Sequence, residues 1–562
     1  MIGLISATAA GAVARDRLAA AWPGRTRVYE GPVRDAVVRA FGECEQLVCF
    51  LATGAVVRLV APLLEGKASD PGVVCVDEGS RFAVSLLGGH EGGANALAGE
   101  VGEVLGCAPV VTTATDARDI PGLDTLGWPV EGAVAAVTRA VLDGEPVAVR
   151  ADAVWPLPPL PVVVADDADA VLRVSDRVGE LGACEAVLRP PSLVVGIGAS
   201  KGASVEEVLG LVEESLEGAG LSALSVAELV TVDAKTEEAG IVGAAARLGV
   251  PLRTYAAEVL AGVAVPNPSD APLAAVGTPS VAEAAALAEG GELLVPKRKS
   301  SRPDGLPAMA TCAVVRRAPR GRLAVVGLGP GARDLLTPRA KEELRRASVL
   351  VGLDQYVDQI RDLLRPGTTV LESGLGAEEE RARTAVAEAR KGHAVALIGS
   401  GDAGVYAMAS PALAEASDDI DVVGVPGVTA ALAAAAILGA PLGHDHVSIS
   451  LSDLHTPWEV IERRVRAAAE ADIVVTFYNP RSRGRDWQLP KALGILAEHR
   501  TGTTPVGVVR NASRVDESSR LTTLGALDPT TVDMMTVVVV GNTAAREIAG
   551  RMVTPRGYRW QV

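Results

Sequence analysis

Aromatic side chains are scarce in this 562-residue chain: 6 Trp, 6 Tyr and 4 Phe make up 3% of it. Apolar residues are nevertheless plentiful, with Ala, Val, Gly and Leu dominant. That balance argues against a disordered chain and fits Ala/Val-rich α/β domains. Cysteine is sparse too. The 6 residues, Cys44, Cys49, Cys75, Cys107, Cys184 and Cys312, form no CxxC pair, which argues against a disulfide framework or zinc knuckles. Positive charge is outweighed: 53 Lys and Arg stand against 69 Asp and Glu, and the run Lys297-Arg298-Lys299-Ser300-Ser301-Arg302-Pro303 reads as a solvated loop. The net charge of −16 speaks against a nucleic-acid surface and mainly reports solubility. The longest apolar run, Val428 to Gly443, contains Gly439 and Pro441 and falls short of the ~18 residues that span a bilayer. It reads as a buried Ala-rich helix, and no membrane partner is expected. Met1 to Thr8 lacks a basic n-region and runs into Arg15-Asp16-Arg17, so no signal peptide is read and a cytoplasmic protein is expected.

What is present is alternation. Strand-like runs at Met1–Ser6, Gln46–Ala52, Gly72–Val76, Pro109–Thr112, Ser192–Gly198, Ala310–Val315 and Leu323–Val326 are separated by helix-length spacers. This predicts an α/β chain with much parallel sheet. A single core rarely grows past ~250–300 residues, so several domains are expected. Trp155-Pro156-Leu157-Pro158-Pro159-Leu160-Pro161 marks a surface connection or an edge, and Arg316–Arg322 reads as an interdomain linker, with the main boundary near residue 320. No short internal repeat is evident, which excludes a solenoid.

Several strand ends run into open turns. Ala394–Ile398 leads into Gly399-Ser400-Gly401-Asp402-Ala403-Gly404-Val405-Tyr406-Ala407-Met408-Ala409. Glycines there permit close approach of main chain to a ligand, and Asp402 suits a cationic or hydroxyl-bearing molecule better than a phosphate. A tight turn without function is the alternative. Leu323–Val326 precedes Gly327-Leu328-Gly329-Pro330-Gly331, where Pro330 does not fit a dinucleotide fingerprint; Thr337 is the expected N-cap of the next helix, with Pro338 at its first position. Gly424-Val425-Pro426-Gly427-Val428-Thr429-Ala430-Ala431 is another strand-to-helix turn, with Thr429 able to cap. Ser448–Trp458, Phe477-Tyr478-Asn479-Pro480-Arg481-Ser482 and Val537–Asn542 follow.

Taken in order, these segments resemble the tetrapyrrole methylase family, and within it the precorrin-3B C17-methyltransferases of corrin (cobalamin) biosynthesis. The resemblance covers residues 322–562. It implies two α/β subdomains with S-adenosylmethionine in the cleft between them, a large acidic tetrapyrrole alongside, and a homodimer. Carried over position by position, the cofactor contacts would be Pro330, Ser400, Gly401, Asp402, Val405, Thr429, Ala430, Asn479, Ala512 and Gly541. The implied reaction is methyl transfer to C17 of the macrocycle coupled to ring contraction. Alignment of the macrocycle carbon with the methyl is the main requirement. Ring contraction also needs proton movement, for which His444, Asp445, Asp453 and His455 are the polar candidates; Arg481 or Arg483 could hold substrate carboxylates. The spacing of His444-Asp445-His446 could suit a metal, yet no third ligand is identifiable, so no metal site is assigned. Trp458 and Tyr478 read equally well as core residues.

The first half carries Thr53–Arg58, Lys67, Val76-Asp77-Glu78, Leu86-Leu87-Gly88-Gly89-His90-Glu91-Gly92-Gly93-Ala94-Asn95 and Val111–Asp116. Glycines on both sides of His90 leave its ring little local packing, which points to function. Together with Gly196–Gly202, Lys235–Glu238, Ser280–Ala286 and Lys297, these segments resemble the cobalt-precorrin-5A hydrolase family, from residue 1 to about 316. Residues 1–118 and 191–317 would be its two domains, with a variable region at 119–190. The family's usual Ser before Gly-His is Gly88 here. The resemblance implies opening of a δ-lactone with release of acetaldehyde. That chemistry needs an activated water and a site for the oxyanion: His90 or Glu78 as base, with Lys67, Arg58 or glycine N–H groups opposite. No G-x-S-x-G motif is present, which disfavours a serine nucleophile. Two other readings remain open: a nicotinamide-dependent oxidoreductase, prompted by Gly196-x-Gly198 and Gly327-x-Gly329, and an inactive tetrapyrrole-binding module in the first half.

Overall fold

A computed structural model describes residues 1–562 apart from 67–68, 90–91, 114–121, 124–125, 161–162, 165–166, 302–305 and 558–562. The chain forms two compact units, Met1–Ala153 with Leu160–Pro319, and Val154–Pro159 with Arg320–Val562. Val154–Pro159, from the Pro-rich passage, thus packs with the second unit. A Cβ on Gly392 would fall 2.2 Å from the Val154 carbonyl oxygen, so this contact requires glycine.

The first unit holds three sheets. β1 (Ile2–Ser6), β2 (Thr26–Val28), β3 (Gln46–Phe50), β4 (Gly72–Val76), β5 (Phe82–Leu87) and β6 (Ala108–Val110) are ordered β2-β1-β3-β4-β5-β6. β1 to β4 pair in parallel, whereas β5 returns antiparallel to β4. The strand expected at Pro109–Thr112 is the short β6. β7 (Val130–Gly132), β8 (Pro146–Ala151), β9 (Val163–Val164), β10 (Ala170–Val174) and β11 (Glu185–Leu188) form a second sheet across the central region. The third contains β12 (Leu193–Ala199), β13 (Val226–Val232), β14 (Leu252–Tyr255), β15 (Glu292–Lys299) and β16 (Ala310–Arg316), in the order β14-β13-β12-β16-β15.

The second unit begins with five parallel strands, β17 (Arg322–Gly327), β18 (Val349–Leu353), β19 (Thr369–Ser373), β20 (Ala394–Gly399) and β21 (Asp421–Val425), ordered β19-β18-β20-β17-β21. The apolar runs of the three central strands β18, β20 and β17 follow from burial on both faces. Leu323, Val325, Val395 and Leu397 pack on one side with Ala382, Ala385 and Val386 of the helix Glu378–Arg390. Ala324, Val326, Ala396 and Ile398 pack on the other with Ala340 and Leu344 of the helix Pro338–Arg346. Each fully buried Val or Leu contributes about 1.5–3 kcal/mol. Thr337 caps the latter helix as expected, its Oγ1 accepting from Ala340 N at 3.1 Å.

β22 (Gly439–Ala440), β23 (His446–Ser450), β24 (Val474–Tyr478), β25 (Pro505–Arg510), β26 (Ser518–Thr523), β27 (Thr536–Val540), β28 (Arg546–Ile548) and β29 (Arg551–Val553) complete the unit. They form a mixed sheet, β23-β24-β27-β25-β26, and a small one, β22-β29-β28. The Ala-rich helix is shorter than the run Val428–Gly443 suggested. It spans Ala430–Leu438 and stops at Gly439, whose φ of 124° a side chain resists. Leu432 on it is 53% exposed, so its burial is one-sided.

Candidate functional site

The carboxyl ends of β20, β17 and β21 lie side by side, and their turns lock together. Gly329 and Gly401 exchange two backbone hydrogen bonds (2.9 and 2.7 Å), and Leu328 N donates to Gly399 O at 2.9 Å. A Cβ on Gly427 would fall 2.1 Å from Gly401 O, and one on Gly327 2.8 Å from the same oxygen. These two glycines therefore admit neighbouring backbone. Asp402 fastens the turns: Oδ1 accepts from Gly404 N at 2.8 Å and Oδ2 from Gly427 N at 3.0 Å.

The mixed sheet closes on these turns from the other side. The Tyr478 hydroxyl, at the end of β24, lies 2.6 Å from Thr429 Oγ1 and accepts from Ala431 N at 2.8 Å. Thr429 occupies the N-cap position of the helix Ala430–Leu438, but its side chain makes no capping bond; the phenol satisfies the helix instead. Burial raises the Tyr478 pKa. Its ring meets that of Tyr406, centroids 5.3 Å apart. Tyr406 sits at φ 53°, where an aromatic residue is strained by about 1–2 kcal/mol, and donates to Ser448 O at 2.7 Å while staying 53% exposed. Asn479, at φ 48°, donates from Nδ2 to Ser450 Oγ at 3.1 Å. From the turn after β25, Arg514 donates to Pro330 O at 2.9 Å and Ser400 Oγ at 3.1 Å.

The structure thus brings Pro330, Ser400, Gly401, Asp402, Val405, Thr429, Ala430 and Asn479 to one end of the second unit, with Ala512 on the turn that carries Arg514. Gly541 stands apart. It follows β27 where Val540 pairs with Val475, about 10 Å along the sheet from Tyr478. Its carbonyl accepts from buried Arg500 at 2.7 Å, and a Cβ there would meet Ala545 at 2.5 Å. Among the proton-transfer candidates, Asp453 and His455 follow β23 on the Tyr478 side. Both are exposed, and Asp453 Oδ2 accepts from Gln488 Nε2 at 2.9 Å. His444 and Asp445 precede β23, about 16 Å or more along the strand from the Tyr478 end, and interact with each other: Asp445 N donates to His444 Nδ1 at 2.7 Å. Arg481 donates to Thr530 O at 2.7 Å, and Arg483 is exposed. Trp458 contacts the edge of Trp487 and donates to Glu462.

In the first unit, His90 and Lys67 lie outside the described residues. Glu78 follows β4, where it accepts from Thr8 Oγ1 at 2.9 Å. The glycines flanking position 90 lie at the opposite end of that strand. A Cβ on Gly72 would fall 2.1 Å from Gly92 O, and Gln46 Nε2 donates to the same oxygen at 3.0 Å. Because β4 and β5 are antiparallel, Glu78 and the Gly88–Gly93 turn sit about 13 Å apart or more, so Glu78 does not share a site with that turn. Asn95 does share it. Its Oδ1 accepts from Ser85 Oγ at 2.7 Å, and its Nδ2 donates to Thr113 Oγ1 at 3.1 Å. Arg58 lies on an exposed helix face, bonded to Gly54 O.

Comparison with known proteins places this geometry. The description "Tetrapyrrole (Corrin/Porphyrin) Methylases" matches residues 322–528. A probable cobalt-factor III C(17)-methyltransferase of Salmonella typhimurium is 48% identical over 239 residues, 42% of this chain and 99% of that protein. The chain belongs to the tetrapyrrole methylase family. A precorrin-3B C(17)-methyltransferase from Sinorhizobium sp. is 42% identical over 42% of this chain and 97% of its own length. The solved methyltransferase CobJ is 38% identical over 42% of this chain and all of its own, with a TM-score of 0.40. Of several other curated relatives, the chain spans about half the length. Ahead of the methylase part, residues 35–116 match "Cobalamin synthesis G N-terminal" and 193–315 match "Cobalamin synthesis G C-terminus". Within the methylase part, sequence reasoning missed three residues of the closed turns. Tyr406 lies in a motif already singled out, Tyr478 read equally well as core, and Arg514 had no local signal beyond its place after a strand end.

Proposed function

We propose that this chain is a two-part enzyme of cobalamin biosynthesis. The second unit methylates C17 of precorrin-3B or its cobalt counterpart, with ring contraction, and the first opens the δ-lactone of cobalt-precorrin-5A with release of acetaldehyde. The observation that carries the first part is the set of strand-end turns at β17, β20 and β21, met by Thr429–Tyr478, Asn479 and Arg514, in a region 48% identical to almost the whole of a C(17)-methyltransferase.

The donor set suits S-adenosylmethionine. Pro330, Ser400, Gly401, Val405, Thr429, Ala430, Asn479 and Ala512 are the residues to hold it; Asp402 keeps their turns in place. Beside Ala512, Asn511 Oδ1 is buried without a hydrogen-bond partner, an acceptor suited to an exocyclic amine. When bound, this cofactor supplies an electrophilic methyl group on sulfonium. The chain's own task is alignment: Tyr406 and Tyr478 tie the parallel and mixed sheets of the second unit together, so the macrocycle carbon is held against a fixed cleft. Asp453 and His455, on the Tyr478 side, are better placed than His444 to move the protons that contraction requires.

In the first unit, the Gly88–Gly93 turn with Asn95 and Thr113 is the better candidate for lactone opening, and Glu78 is left out of it. The domains 1–118 and 191–317, with 119–190 between them, belong to this half. A cytoplasmic homodimer is the assembly that fits the methylase part; among the described residues no helix is long and apolar enough to cross a membrane.

Incubation of the full-length protein with S-adenosylmethionine and either the metal-free or the cobalt-bearing substrate, read by product mass, tests the first activity. Methyl gain with one form identifies the route, and gain with neither overturns the reading. Acetaldehyde release from a lactone substrate tests the second. Retained tetrapyrrole affinity without release would instead make the first half a binding module.

A further inference from the structure

Two arginines at the carboxyl end of the parallel sheet have no carboxylate partner among the described residues. Arg381, only 5% exposed, donates to Ser373 Oγ (3.0 Å), Gly374 O (2.8 Å) and Met408 Sδ (3.6 Å), all neutral. Arg514 donates from Nε to Pro330 O and from one Nη2 hydrogen to Ser400 Oγ, also neutral. Buried or half-buried charge without a counter-charge is costly, and proteins rarely keep it without a use. Burial raises the pKa of Tyr356, at the start of the helix Asp354–Ile360 after β18, and the positive charges of Arg514 and Arg381 oppose that rise.

The free edge of Arg514 defines what would fit. Nε and one Nη2 hydrogen are spent on the Pro330 and Ser400 oxygens, which leaves Nη1 and the other Nη2 hydrogen as a fork. Such a fork matches the two oxygens of a carboxylate. We propose that Arg514 and Ser400 form a carboxylate-binding subsite, with Arg381 a second positive charge without a carboxylate partner at the same end of the sheet. The inference rests on the reading of this unit as a methylase, whose two ligands both bring carboxylates: the amino-acid end of S-adenosylmethionine and the acidic side chains of the tetrapyrrole. The subsite adds a charged anchor to a set of turns that otherwise offer only neutral groups and Asp402.

The test uses the full chain carrying Arg514→Met, Arg514→Lys or Ser400→Ala, with folding checked by thermal melting. Affinities are measured for S-adenosylmethionine, for its decarboxylated analogue and for uroporphyrin III as an octacarboxylate probe. If the cofactor carboxylate is the occupant, Arg514→Met weakens S-adenosylmethionine binding by about tenfold or more and abolishes the preference over the decarboxylated analogue. If a macrocycle carboxylate is the occupant, cofactor binding holds and uroporphyrin binding weakens by a similar factor, with a shallower salt dependence. In either case Arg514→Lys recovers part of the loss, and Ser400→Ala loses a few-fold. Should Arg514→Met not fold, the Arg514→Lys and Ser400→Ala variants carry the same comparison. Wild-type affinity for both ligands together with unchanged affinities in the variants overturns the subsite alone. Failure of the wild-type protein to bind either ligand overturns the methylase reading and the subsite with it.

Discussion

Asp402 fastens two turns together with one side chain. Each carboxylate oxygen accepts a backbone N–H, one from its own turn and one from the turn after β21. In Asp402→Asn the amide can match only one of these donors and sets its own N–H₂ against the other. A loss of about 1–3 kcal/mol is expected, read as faster amide exchange at Gly404 and Gly427. Tyr478 plays the corresponding part for the helix Ala430–Leu438, because its hydroxyl reaches Ala431 N where Thr429 does not. Tyr478→Phe should therefore speed exchange in that helix's first turn and weaken cofactor binding, while β24 keeps its protection. Retained first-turn protection would show that Thr429 takes over the cap.

At the scale of elements, the glycine turns divide into those that admit backbone and those with room to spare. Gly427 has no space for a methyl group: Gly401 O would lie 2.1 Å from its Cβ, and both are main chain. Gly399, two residues before Gly401, would place a Cβ 3.7 Å from Ala407, an ordinary contact. Gly427→Ala is expected to cost several kcal/mol or to prevent soluble expression, since neither backbone can yield without separating β17, β20 and β21. Gly399→Ala should stay within about 1 kcal/mol of the wild type by denaturant unfolding. Equal tolerance at the two positions would contradict this packing of the turns. Other elements were legible locally, including the Thr337–Pro338 helix start. The Val428–Gly443 run misled in length because Gly439 takes a conformation that ends the helix.

At the scale of the whole molecule, the first unit is stapled across its second and third sheets by Asp176. That carboxylate pairs with Arg316 at 2.6 and 2.7 Å and accepts from Ser192 Oγ at 2.7 Å. Burial pushes its pKa up, but the hydrogen bonds and positive charge of Arg316 outweigh that and hold it below the usual carboxylate value. A group depressed in the folded state stabilises fully above its unfolded pKa, about 3.9, and loses that contribution as pH falls through the lower folded value. The first unit should therefore weaken as the pH drops below about 4. Asp176→Asn should be less stable at neutral pH and show a flatter acid limb, measured by thermal melting across pH.

The sequence by itself determined the α/β class, several central strands, the glycine turns and, through ordered motifs, the family of the second half. These are local properties: a run of Val and Leu, a Gly at a positive φ or a Thr-Pro helix start acts over a few residues. Only the tertiary structure decided which of those residues meet. Thr429 and Tyr478 lie 49 positions apart, and Ser400 and Arg514 lie 114 apart. Strand order and direction together sent His444 away from the turn cluster and put Glu78 at the far end of β4 from the glycines that follow β5. Strand order follows from how apolar faces find mutual burial, a condition on the whole chain that no single segment carries.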